Sequence, residues 1–132
     1  MSKHSVHGPF DVKTLPQPAE ADTEFSAVAR LLLDKQFHGA LDGPSKGQML
    51  AIGGEGGWGV YVAMEKVVGT LDGKAGSFVL YHRGSMDKNG QTLEVLVAPG
   101  SGTGALAGIS GNMGIKNDSG VHSYSFDYEL PD

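Results

Sequence analysis

A chain of 132 residues with 39% hydrophobic content has the size of one domain and buries a core without staples. It contains no cysteine, which excludes disulfides, Cys–zinc sites and thiol catalysis. A formal net charge of -5, with 10 Lys and Arg dispersed along the chain, removes the electrostatic basis for binding nucleic acid or acidic lipid. The 21 glycines follow no strict period, so they exclude collagen and argue for many tight turns and bulges in an all-β chain.

In chain order, the start Met1-Ser2-Lys3-His4-Ser5-Val6 lacks the apolar core of a signal peptide, and no apolar run approaches the roughly 20 residues of a membrane span, so the cytoplasm is the expected compartment. A first strand is predicted over 4–13, ended by the crossover Leu15-Pro16-Gln17-Pro18. From Pro18 to Asp34, the spacing of Phe25, Val28, Ala29 and Leu32 is compatible with a helix. No C-cap follows, however, and Leu31-Leu32-Leu33 runs on into an alternating segment. Residues Ala19–Glu24 are therefore read as a loop or single helical turn, with a strand over 27–40.

Further strands are predicted at 45–53, 58–70, 75–86, 91–98, 104–116 and 121–129. Their punctuation is Asp42-Gly43, Gly53–Gly57, Asp72-Gly73, Asn89-Gly90, Gly100–Gly102 and Asp118-Ser119-Gly120. Asp-Gly and Asn-Gly supply the positive φ angles that short hairpins demand. The last segment alternates most clearly, with His122, Tyr124, Phe126 and Tyr128 on one face and Ser123, Ser125, Asp127 and Glu129 on the other. In 58–69, Tyr61, Ala63, Glu65 and Val67 oppose Val60, Val62, Met64 and Lys66; both faces look partly covered, which leads us to expect a homo-oligomer.

Eight strands joined mostly by short hairpins make a single domain over 1–132: an antiparallel up-and-down β-barrel, whose closure removes exposed edges. Hairpins centred on Asp42-Gly43, Gly54–Gly57 and Asp72-Gly73 align three rows on one face: Phe37, Met49, Ala63 and His82; Gly39, Gly47, Glu65 and Leu80; Lys35, Ala51, Tyr61 and Gly84. If that face is the interior, Lys35, Glu65, His82 and Tyr61 lie at neighbouring heights among apolar walls. Glu65 then needs Lys35, His82 or a tyrosine hydroxyl as partner, and burial in an apolar cavity raises its pKa into a useful range for acid–base work. Glu65 and His82 are the candidate catalytic residues. Candidate ligand-binding residues are Lys35, Phe37, Met49, Tyr61, Ala63, Phe78, Leu80, Tyr124 and Phe126. A buried Glu–His or Glu–Lys pair is also what a purely structural polar contact looks like. The aromatic run of the last strand serves equally well as barrel lining.

Other motifs fail on spacing. His4 and His7 fall on opposite faces of a strand and cannot share a metal, His38 faces outward, and His122 reads as a strand-end residue. Pro99-Gly100-Ser101-Gly102-Thr103-Gly104 resembles a phosphate loop, but no Lys-Ser/Thr pair and no helix follow it, and Gly53–Gly59 also lacks a following helix. No metal or cofactor is expected.

The strings Asp34-Lys35-Gln36-Phe37-His38-Gly39, Ser45-Lys46-Gly47-Gln48-Met49, Tyr61-Val62-Ala63-Met64-Glu65, Gly76–His82, Pro99–Gly108 and His122-Ser123-Tyr124 resemble a bacterial domain-of-unknown-function family. Its fold is similar to the allene oxide cyclase barrel. The resemblance spans nearly the whole chain and implies an eight-stranded, calycin-like barrel and self-association. It implies little about activity. Three readings follow: binding of a small, largely apolar molecule inside the barrel; an isomerase or cyclase resembling allene oxide cyclase; or a structural or partner-binding oligomer with a filled barrel.

Overall fold

The structure, a computed structural model, describes residues 2–18 and 27–131. Among the described residues nine strands follow one another: β1 (Ser2–Pro16), β2 (Ala29–Phe37), β3 (Leu41–Gly53), β4 (Gly59–Leu71), β5 (Lys74–Asp87), β6 (Gly90–Val97), β7 (Thr103–Gly104), β8 (Ser110–Asp118) and β9 (Val121–Leu130). Every pairing is antiparallel. Sequential neighbours pair from β1 to β6, β8 bridges β6 and β9, and β9 returns to β1, so the eight long strands close into a barrel. The two-residue β7 pairs Gly76 and Ser77 of β5 beyond the end of β6. No helix among the described residues is long and apolar enough to cross a membrane. The loop or turn expected over Ala19–Glu24 lies outside the described residues.

The turns form where φ demands it. Asp72 and Gly73 (φ 50° and 81°) join β4 to β5, and Ser119 and Gly120 (φ 53° and 88°) join β8 to β9, both with the paired positive φ of a two-residue hairpin. Two sequence expectations need correction. Asp42-Gly43 is not a turn but lies within β3, and the β2–β3 hairpin turns at residues 38–40, where Gly39 has φ 99°. Lys35 therefore pairs Ser45 and Phe37 pairs Gly43, six residues from the predicted alignment with Ala51 and Met49. Because six is even, the inward face is unchanged. The other rows hold: Met49, Ala63 and His82 align, as do Gly47, Glu65 and Leu80, and Ala51, Tyr61 and Gly84.

The second correction concerns 104–116. This is not one strand but β7, a turn over 105–108 and then β8. Gly104 and Gly108 sit at φ 60° and 81°, and Leu106 N and Ile109 N donate to Thr103 O and Leu106 O at 3.0 and 3.1 Å. Leu106 and Ile109 are both fully buried, which two residues three apart on a flat strand cannot both be. Their inward turn plugs one end of the barrel. There they join Phe37, Leu41, Leu71, Phe78, Leu80, Phe126, Tyr128 and Leu130 in a continuous apolar core. Burying each such side chain stabilises the fold by about 1.5–3 kcal/mol. The other end carries the β3–β4, β5–β6 and β8–β9 turns.

Candidate functional site

Between plug and mouth the barrel interior is polar. Lys35 on β2, Ser45 on β3, Glu65 on β4 and His82 on β5 occupy adjacent strands on inward parity, so the pleat aims all four at one point. Lys35 Nζ donates to Glu65 Oε2 at 2.8 Å, His82 Nε2 lies 2.5 Å from the same oxygen, and Ser45 Oγ donates to Oε1 at 2.7 Å. All four side chains are buried. Among the described residues, no buried side-chain nitrogen or oxygen lacks a partner. Lys35 Nζ also stands 5.2 Å from the Phe10 ring centre and 5.8 Å from that of Phe37, so aromatic faces complete its surroundings.

The expected rise in the Glu65 pKa is reversed. Burial opposes ionisation most strongly, but the His82 hydrogen bond and the charge and hydrogen bond of Lys35 together outweigh it, holding the carboxyl at about 2. Glu65 is therefore an ionised, acceptor-only hub at neutral pH, not a poised general acid. Tyr61 stands on the mouth side of the hub, its Oη 3.5 Å from His82 Nδ1. Burial and the neighbouring Glu65 charge raise the Tyr61 pKa, so the phenol stays protonated.

Beyond Tyr61 the barrel opens into a cavity of about 710 Å³. Its wall comprises Met49, Ala51, Ile52 and Gly53 of β3, Trp58, Gly59, Val60 and Tyr61 at the start of β4, Gly84, Ser85 and Met86 of β5, Gln91, Thr92 and Leu93 of β6, and Ile115 of β8. None of these side chains is charged. Space exists because Gly84 faces Tyr61 across the ladder and Ala51 lies on its other side, so three consecutive strands place one bulky side chain between two small ones.

The structure thus brings together Lys35, Glu65, His82 and Tyr61, and puts Met49 with Tyr61 on the cavity wall. Ala63 is buried between the two groups. Phe37, Phe78, Leu80, Tyr124 and Phe126 lie in the packed core, away from that wall. Tyr124 Oη accepts from Leu41 N at 3.1 Å and lies 2.8 Å from His38 O and 3.2 Å from Leu41 O, clasping the β2–β3 turn. His38 is outward and exposed, 2.9 Å from Asp11, and His122 is half-buried against Phe10. No cluster of metal-ligating residues occurs among the described residues.

The sequence reading missed Ser45, Trp58, Met86, Leu93 and Ile115. The even parity of β5 and odd parity of β6 and β8 were signal enough for Met86, Leu93 and Ile115. Ser45 stayed hidden because the misplaced β2–β3 turn paired Lys35 with Ala51.

Residues 6–128 match the family model described as protein of unknown function (DUF3224). The chain belongs to that family. A crystal structure of a DUF3224 family protein of unknown function from Shewanella oneidensis MR-1 is 40% identical, with a TM-score of 0.87 over 99% of this chain and 100% of that one. That DUF3224 structure thus matches the barrel from end to end. No curated protein matches.

Proposed function

We propose that this DUF3224 barrel binds a small, largely apolar molecule through its open end, with Tyr61 and the His82–Glu65–Lys35 group behind it orienting the molecule's polar end. The observation that carries this reading is the cavity of about 710 Å³, uncharged along its wall and touched by one polar chain at its floor. Pockets for small molecules have this volume and this balance of apolar wall and few convergent polar groups. The cavity speaks against the filled-barrel alternative in the open half, while the other half is packed. The test is native mass spectrometry of freshly purified protein. We expect a co-purified lipid-like or aromatic mass that Tyr61→Phe and Met49→Trp variants lose. A clean apo mass, joined by failure of an apolar ligand screen, overturns the reading.

An enzymatic version, an isomerase or cyclase resembling allene oxide cyclase, is favoured by one feature: Tyr61, His82 and Glu65 form a continuous path for a proton from cavity to hub. It requires turnover that His82→Gln abolishes while binding persists.

We also propose that the outer surface of β3–β6 seats a second copy of the chain. Leu50, Val60, Val62, Met64 and Tyr81 are all exposed there, Met64 at 69%, on laterally adjacent strands. Arg30, Arg83 and Glu94 border the same groove, so the border carries both signs of charge and suits a twofold pairing of the surface with itself.

A further inference from the structure

The hydrogen-bond polarity of the hub reaches the cavity floor. Glu65 is ionised and acceptor-only, so both groups on Oε2, Lys35 Nζ and His82 Nε2, must present hydrogens. This fixes the imidazole tautomer. In the tautomer that carries its single hydrogen on Nε2, Nδ1 offers a lone pair. Tyr61 is the only group within reach of Nδ1 among the described residues, at 3.5 Å, and in this tautomer its hydroxyl is the donor and Nδ1 the acceptor. The oxygen lone pairs of Tyr61 are left for the cavity, where the wall carries no cation.

We infer that the cavity selects a neutral apolar molecule whose buried end is a hydrogen-bond donor, an alcohol or a phenol, with Tyr61 Oη as its acceptor. This rests on the cavity-binding reading above and adds the chemical class of the ligand. A carboxylate meets no cation on the wall and lies near the ionised Glu65. An ether of the same shape offers no hydrogen, and to meet it Tyr61 must turn its own hydrogen away from His82. Sites built around a fixed polar group reject analogues that leave that group unpaired.

The experiment compares 2-naphthol, 2-methoxynaphthalene and 2-naphthoate at neutral pH by isothermal titration with the full chain. Emission from Trp58, the sole tryptophan and part of the cavity wall, reports where they bind. The naphthol is expected to bind about tenfold tighter than its methyl ether, the range of one hydrogen bond, with the naphthoate weakest. Tyr61→Phe, which keeps the ring over Gly84, is expected to bring naphthol down to the level of the ether. Equal binding of naphthol and ether, or a preference for ether or carboxylate, overturns the donor assignment while leaving the cavity reading standing. Absence of heat and of any Trp58 response with all three removes the cavity reading and this inference together. Should Tyr61→Phe fail to fold, the naphthol-to-ether ratio in the native chain decides alone.

Discussion

Glu65 shows how a buried charge is made tolerable. Its two oxygens accept three hydrogen bonds, and the cation it faces is itself held against aromatic rings. Removing the charge while keeping the shape, Glu65→Gln, leaves Lys35 buried without its counter-ion, and breaking a buried pair in this way costs about 3–5 kcal/mol. Urea unfolding at neutral pH measures that loss; a change within error would mean that Lys35 finds water in the native fold. The pH dependence follows from the sign of the shift. The carboxyl is held at about 2 against an ordinary 4.5, so its contribution is present above 4.5 and is lost as pH falls through 2. The stability gap between the native chain and Glu65→Gln is therefore expected to narrow as pH falls from 4.5 to 2. The direction of that shift was not legible in the sequence, because desolvation alone raises a carboxyl and only the geometry shows that two cationic or donor partners share one oxygen. The inward parity of Lys35, Glu65, His82 and Tyr61 was legible, because alternation along β4 and the tight turn at Asp72-Gly73 leave one register.

At the scale of elements, the same logic explains what was missed. Asp42-Gly43 carries the strongest local turn signal of its segment, yet the chain turns earlier, at Gly39, where Tyr124 from the distant β9 ties Leu41 and His38. A tertiary hydrogen bond thus overrides a local preference. Gly43 then serves within β3, where a side chain would overlap Val68 O of the neighbouring strand. Tyr124→Phe leaves Leu41 N, at a buried position, without its acceptor, and the expected loss is about 1–3 kcal/mol with the barrel retained. A lowered thermal midpoint with an unchanged far-ultraviolet spectrum is the expected record. The Tyr61–Gly84 pair makes a sharper prediction for the site. A Cβ on Gly84 would overlap the Tyr61 ring, so Gly84→Ala must swing Tyr61 away from His82. Affinity for an apolar alcohol is expected to drop at least as far as in Tyr61→Phe, while folding is retained; unchanged affinity would mean that Tyr61 does not orient the ligand.

At the scale of the whole molecule, closure pairs most of the strand edges, with β6 and β8 joined only at Val95 with Met113 and Leu96 with Asn112. β1 and β9 register from Ser2 opposite Leu130 to Phe10 opposite His122, joining the two ends of the chain into the wall. With most edges paired, an exposed apolar surface is the stronger cause of association. Leu50, Val62 and Arg83 form one outward row and Gln48, Met64 and Tyr81 the next, so the apolar groups are contiguous across strands. A twofold pairing buries this surface against its own copy and lets Arg83, 2.9 Å from Glu94 within one chain, share that carboxylate with the second chain. Light scattering across a hundredfold concentration range is expected to give a dimer for the native chain. Val62→Asp with Met64→Glu, both on the face of β4 opposite the hub, is expected to give a monomer of unchanged fold. Because Val62 and Met64 are not part of the cavity wall, the monomeric variant should bind apolar alcohols with native affinity. A native chain that stays monomeric at the highest concentration would leave the outer surface without a second copy, and a dimer that survives both substitutions would place the interface elsewhere on the barrel.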